Sequence, residues 1–292
     1  MNRRYYKVAG HVFAVEMPAD ETVASEMSQY APFAVDSPDG DGVVFTLRVV
    51  SEADFPATDD VTVEMHQDDD GSQIVAGRMG QQPYFEFQLW GARAARMLTS
   101  TDYREAVVCL DRHRLFGINN ALMVLYALAT AGRQTALFHS SVVSHKGRAY
   151  MFLGKSGTGK STHSSLWLRY IDGTQLVNDD NPVVRRMADG FHVFGTPWSG
   201  KTPCYRNVSY PVGAIVQLAQ APYNAIRRLR PLEAYASLMP SISGKRWDQQ
   251  VAAGLHETEN LLAGEVAVWH LDCLPDEAAA RLCCETVSGN GE

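Results

Sequence analysis

At 292 residues, 46% of them hydrophobic, the chain is long enough for one large or two ordinary domains with apolar cores. A formal charge of -7, with no long basic stripe to offset it, argues against a nucleic-acid-binding surface. Cys109, Cys204, Cys273, Cys283 and Cys284 form neither a C-x-x-C pair nor an even disulfide framework, and reduced thiols in a cytoplasmic protein are the simplest reading.

Met1 to Lys7 carries positive charge, but the apolar residues that follow are too interrupted for a signal-peptide core. Strands are predicted at 7–15, 43–50, 61–65, 73–76 and 84–90. Between two of them Asp68-Asp69-Asp70-Gly71 reads as a hairpin turn whose carboxylates are hydrated rather than bound to a cation. Nothing here has catalytic spacing, so residues 1–112 are assigned to a β-rich N-terminal domain serving as scaffold or recognition module. The apolar stretch 115–131 is short for a membrane span and is interrupted by Asn119 and Asn120. It predicts a buried linking helix, counted with a second domain over 113–292.

From 135 the pattern becomes strand (135–139), turn (145–148) and apolar strand (148–153). Next comes Gly154-Lys155-Ser156-Gly157-Thr158-Gly159-Lys160-Ser161-Thr162. This satisfies the phosphate-loop pattern G-x-x-x-x-G-K-[ST]. Glycines let the backbone curl around a polyphosphate with its N–H groups inward. A lysine at Lys160 reaches the β/γ-phosphates, and a hydroxyl at Ser161 can ligate Mg²⁺. A helix at 161–171 then adds the partial positive charge of its N-terminus and stops at Asp172-Gly173. Further strands are predicted at 175–177, 182–186, 191–194 and 212–218, and helices at 231–238, 246–262 and 276–284.

Two more segments could complete a site. Leu176-Val177-Asn178-Asp179-Asp180 is an apolar strand ending in two carboxylates, and strand C-termini in α/β sheets converge on the ligand crevice. Gly195-Thr196-Pro197-Trp198-Ser199-Gly200-Lys201 is a turn-rich loop in which Trp198 and Lys201 would offer a stacking face and a charge to an acceptor or phosphate. Arg206 is a weaker candidate for phosphate contact. The Arg227, Arg228 and Arg230 cluster reads as a solvated strand end.

Together, Phe138-His139-Ser140-Ser141, the loop at 154–161 and Leu176 to Asp180 resemble the C-terminal kinase domain of HPr kinase/phosphorylase, whose fold is shared with ATP-dependent phosphoenolpyruvate carboxykinase. The resemblance covers roughly residues 135–200. It implies an α/β P-loop kinase domain preceded by the β-rich region, with Mg²⁺ and ATP as cofactors. It implies that His139 and Asp179 flank the transferred phosphoryl group, Asp179 as base toward an acceptor hydroxyl, with Ser161 and Asp180 near the metal. Residues 1–110 do not match the N-terminal domain of those kinases. The acceptor, a serine of a protein or peptide or a small molecule, is therefore not specified. Rival readings are a carboxykinase-like nucleotide-dependent lyase and a non-catalytic ATP-binding regulator. Neither a nucleic acid nor a membrane is an expected partner, and self-association is compatible with the sequence.

Overall fold

The structure is a computed structural model that describes residues 1–19, 21–38, 42–200 and 202–289. It divides into two compact units, Met1–Thr130 and Ala131–Glu292.

The first unit is built on strands β1 (Asn2–Val8), β2 (His11–Met17), β3 (Ala34–Val35), β4 (Val43–Val50), β5 (Val61–Asp69), β6 (Ser72–Met79), β7 (Gln82–Leu89), β8 (Ala92–Thr99) and β9 (Glu105–Leu110). Among the described residues they form one nine-stranded sheet in the order β3-β1-β2-β4-β9-β8-β7-β6-β5. Where the sequence suggested one strand at 7–15 there is a hairpin, turned by Ala9 and Gly10 at φ +48° and +79°. The acidic turn falls as expected, with Asp70 and Gly71 in the left-handed region between β5 and β6. Strands β8 and β9 were not anticipated. β8 opens Ala92-Arg93-Ala94-Ala95-Arg96, which favours helix by local propensity, and antiparallel pairing with β7 and β9 overrides that preference.

Besides the four-residue helix α1 (Val23–Glu26), this unit contains α2 (Arg114–Thr130). The expected boundary at 112/113 falls instead at Thr130/Ala131, because α2 packs on β4, β7, β8 and β9. Gly117 permits the close approach, since a Cβ there would lie 2.6 Å from the Ala94 carbonyl oxygen. Tyr126 Oη, with its ring fully buried, donates to the Val8 carbonyl at 3.0 Å. Among the described residues no helix is long and apolar enough to cross a membrane.

The second unit comprises β10 (Thr135–Leu137), β11 (Ser141–His145), β12 (Arg148–Leu153), α3 (Lys160–Tyr170), β13 (Gln175–Asn178), β14 (Val183–Met187), β15 (Gly190–Phe194), β16 (Ser209–Gln220), β17 (Ala225–Arg228), α4 (Pro231–Leu238), α5 (Gln249–Glu265), β18 (Val268–Cys273) and α6 (Glu277–Ser288). Its sheet runs β10-β14-β15-β16-β12-β11-β13, with β18 also paired to β16 and β17 to β18. β12 and β18 run parallel to β16, so the C-terminal ends of three strands open on the same edge. Helices α3 and α6 pack together against this part of the sheet, burying Phe152, Trp167, Val216, Leu271 and Cys283. Helices α4 and α5 pack on each other, and α5 on β10 and β15. α5 begins three residues later than predicted because the Asp248 carboxylate caps it, accepting from the Gln250 and Val251 N–H groups.

The chain is thus a mixed α/β protein with two large sheets and a β-rich N-terminal region.

Candidate functional site

Burial of Tyr150 to Leu153 makes β12 an internal strand, and the chain leaves it at Gly154. Gly154, Gly157 and Gly159 have φ of +155°, +79° and +104°, values that side chains disfavour. A Cβ on Gly154 would also press on the Thr158 side chain at 3.0 Å. The loop closes on Gly159, the N-cap of α3, and no side chain caps that helix. Its first N–H groups are therefore presented to the loop. Lys160 is buried and turns back, its Nζ donating to the Gly154 carbonyl at 3.0 Å and approaching that of Lys155 at 3.4 Å. An ammonium curled into a ring of backbone groups at a helix N-terminus, with Ser161 and Thr162 exposed in the next positions, fits the triphosphate and Mg²⁺ expected there. Lys155 and Ser156 are exposed on the loop's outer side.

The two aspartates diverge. Asp179 is buried, and its Oδ1 accepts a hydrogen bond of 2.6 Å from Ser141 Oγ on β11. Ser141 Oγ lies 2.5 Å from Ser164 Oγ on α3, one helical turn beyond Lys160. Asp180 is half-exposed, with Oδ1 3.4 Å from His139 Nε2 and Oδ2 accepting from Asn181 Nδ2 at 2.7 Å. His139 thus makes an ion-pair contact with Asp180, the second aspartate, while the first, Asp179, is bonded to Ser141. The backbone of His139 is fixed from both sides: the His139 N–H donates to the Ser241 carbonyl at 2.7 Å, and that of Ser140 to the Asp180 carbonyl at 2.9 Å.

Among the described residues no three His, Cys, Asp or Glu side chains come together as a metal centre. Mg²⁺ held mainly by phosphate oxygens and water needs only one or two protein oxygens, and exposed Ser161 and half-exposed Asp180 are candidates of that type.

The loop after β15 braces the aspartates. Gly195 passes so close to the 206 backbone that a Cβ would fall 2.0 Å from the Arg206 carbonyl oxygen. A Cβ on Gly200 would lie 3.1 Å from both the Asp179 carbonyl oxygen and Asp180 Cβ. Thr196 Oγ1 donates to the Asn181 carbonyl at 2.7 Å and accepts from Asn178 Nδ2 and the Trp198 N–H, each at 3.1 Å. Trp198 is only 2% exposed, so its ring is a buried anchor and not the open stacking face expected. Lys201 lies outside the described residues. Arg206, too, is committed to structure, donating to the Leu176 carbonyl at 2.7 Å and to Gln175 Oε1 at 3.1 Å.

Three contributors have no role assigned from sequence: Ser141, which stands in the 138–141 motif, and Ser164 and Gln220. Ser164 stands four residues after Lys160, a spacing that returns to the same helix face and could have flagged it. Gln220, at the end of β16, reaches the Gly157 carbonyl with Nε2 at 3.1 Å, a long-range contact with no local signature. On α3, His163 is buried, held neutral with its pKa lowered to about 4 by desolvation, and accepts from Trp167 Nε1 at 3.2 Å.

A glycine loop between a buried strand and an uncapped helix, beside a buried carboxylate, makes this an α/β protein with a candidate anion site at its strand ends. The family model of the SynChlorMet cassette protein ScmC matches residues 108–265, more than half of the chain, and the chain belongs to that family. The match includes the loop, His139 and both aspartates, and leaves most of the N-terminal sheet outside. No curated protein matches. Among solved structures, the Hpr(Ser) kinase/phosphatase from Coxiella burnetii is similar at 14% identity and a TM-score of 0.31, over 53% of this chain and 94% of that one. A likeness of that size fixes neither fold nor activity.

Proposed function

We propose that the second unit is an ATP-dependent kinase of the HPr kinase/phosphoenolpyruvate carboxykinase type that moves the γ-phosphate to a hydroxyl acceptor. The observation carrying this reading is the buried Asp179, bonded through Ser141 to Ser164 on the helix that leaves the phosphate loop. A loop alone would support nucleotide binding of any kind. A carboxylate tied to the loop's own helix adds a proton acceptor in a fixed relation to it. ATP with Mg²⁺ would supply the transferable phosphoryl group, held by residues 154–162 with Ser161 and Asp180 toward the metal.

The protein's part in such a reaction is positioning and charge neutralisation, since phosphoryl transfer has a loose transition state. The loop N–H groups and Lys160 neutralise oxygens, and Asp179 orients the acceptor hydroxyl and takes its proton. His139, paired with Asp180, keeps that carboxylate in place. The acceptor is a serine of a protein or peptide, or a small hydroxyl compound. Five free thiols suit a cytoplasmic setting.

The test is γ-labelled ATP with fractionated lysate, comparing the wild type with Lys160→Ala and Asp179→Asn. Label on any component that depends on both residues supports the kinase. ATP binding without transfer in any fraction favours the regulator, and phosphoenolpyruvate from oxaloacetate, ATP and Mn²⁺ favours the lyase.

A further inference from the structure

The nucleoside end of the ligand needs a surface of its own, and the phosphate loop offers none. β16 runs parallel to the loop-bearing β12 and ends beside it, and ligands of open α/β sheets lie outside such strand ends. At its last residue, Gln220 Nε2 donates to the Gly157 carbonyl at 3.1 Å and approaches that of Thr158 at 3.4 Å. The chain then bends through Ala221-Pro222-Tyr223-Asn224 before β17. Both ends of this bend are pinned. The Ala221 N–H donates to the Cys273 carbonyl at 3.2 Å. Asn224 Oδ1 accepts from the Leu274 N–H at 2.8 Å, while its Nδ2 donates at 3.1 Å to Asp276, the residue that caps α6. Pro222 fixes one backbone torsion between them.

On this pinned bend Tyr223 is 56% exposed, in a chain whose Tyr6, Tyr30, Tyr84, Tyr103, Tyr126 and Tyr150 are buried. It stands three positions after Gln220, so its Cα lies within about 11 Å of the residue that touches the phosphate loop. Exposing an aromatic ring forgoes its burial, and holding it on a pinned loop removes the ordering cost of using it as a binding face.

The geometry points to Tyr223 as the stacking platform for the nucleobase of a nucleoside 5′-triphosphate whose phosphates occupy the 154–162 loop. This rests on the nucleotide-binding part of the function proposed above. Tyr223 supplies a π-face, which every base can use, so ATP and GTP bind within a few-fold of each other.

The test uses the full chain with Mg²⁺ and two probes, ATP and inorganic tripolyphosphate, titrated by calorimetry. Tyr223→Ala is expected to weaken ATP binding about tenfold or more, the usual cost of losing one base–aromatic stack, and to leave tripolyphosphate affinity unchanged. Tyr223→Trp should restore ATP binding. An unchanged ATP affinity in Tyr223→Ala, or equal weakening of both probes, overturns the assignment. Wild-type protein that binds tripolyphosphate but gains nothing from the nucleoside also overturns it while leaving the phosphate loop's role standing. Wild-type protein that binds neither probe sinks the nucleotide reading and this assignment together.

Discussion

Ser141 Oγ donates to Asp179 Oδ1 at 2.6 Å, and because a hydroxyl has one proton, its 2.5 Å contact with Ser164 makes Ser164 the donor there. The chain of hydrogen bonds therefore runs from the helix behind the phosphate loop into the carboxylate. We predict that Asp179→Asn lowers transfer by about 100-fold or more, the usual scale for a positioned base, with ATP affinity within a few-fold of wild type. Ser141→Ala should lower kcat by about tenfold at unchanged KM for ATP, because it loosens the base and not the nucleotide. Full transfer by Asp179→Asn with a verified acceptor would remove the base assignment.

Lys160 gives a second, independent test. Its buried ammonium satisfies itself on the Gly154 and Lys155 carbonyls, contacts a bound phosphate would replace. Lys160→Ala should abolish the thermal stabilisation given by Mg-ATP. Without ligand, stability should fall by about 1.5–3 kcal/mol, the net worth of a hydrogen bond involving a charged group. A variant still stabilised by ATP to the wild-type extent would place the nucleotide elsewhere.

The loop, its strand and its helix were legible in sequence because that chemistry is local: glycines, lysine and hydroxyl must be consecutive. α3 was predicted at 161–171 and spans Lys160–Tyr170. The aspartate pair was legible for the same reason, as a strand end. The environment of those acids was not. That Asp179 bonds to Ser141 depends on the pairing of β11 with β13, which no short segment encodes. The turn residues around Trp198 suggest an open ring. Its burial comes from the hydrogen bonds of Thr196 and Asn178 and from the close approach of Gly195 to the 206 backbone, all of them tertiary.

His163 predicts an acid-sensitive fold. Its usual pKa of 6.5 is lowered to about 4, since burial against Phe152 and Trp167 opposes the charged ring. As pH falls, the unfolded chain takes up this proton first, so stability is full above pH 6.5 and declines until about pH 4. The loss from this group should be about 2 kcal/mol by pH 5 and about 3 kcal/mol at its limit. His145, edge-on to Trp167 and also lowered by desolvation, acts in the same direction. Urea unfolding at pH 7 and pH 5 measures the difference, and His163→Gln should shrink it. An equal pH dependence in that variant would assign the acid sensitivity to other groups.

Gly195 is the position at which a single methyl group should disconnect the site from its support. The steric limit is set by backbone, because the Arg206 carbonyl oxygen would sit 2.0 Å from a new Cβ and the Val177 carbonyl oxygen 3.3 Å away. Neither can swing aside as a side chain could. Val177 lies in β13 directly before the aspartates, and the 206 segment is tied to β13 by Arg206 on the Leu176 carbonyl. Gly195→Ala must therefore push either β13 or the 196–200 loop. We predict a stability loss of about 3 kcal/mol, the upper end for forced overpacking. Transfer should fall further than the folded fraction explains, because Gly200 abuts Asp180 at the other end of the loop. Chemical denaturation gives the first quantity, and the transfer rate of the folded protein, corrected for that fraction, gives the second. A variant of wild-type stability and rate would show that the loop bends freely and does not set the aspartates. Loss of stability alone would make Gly195 a folding constraint without a part in positioning.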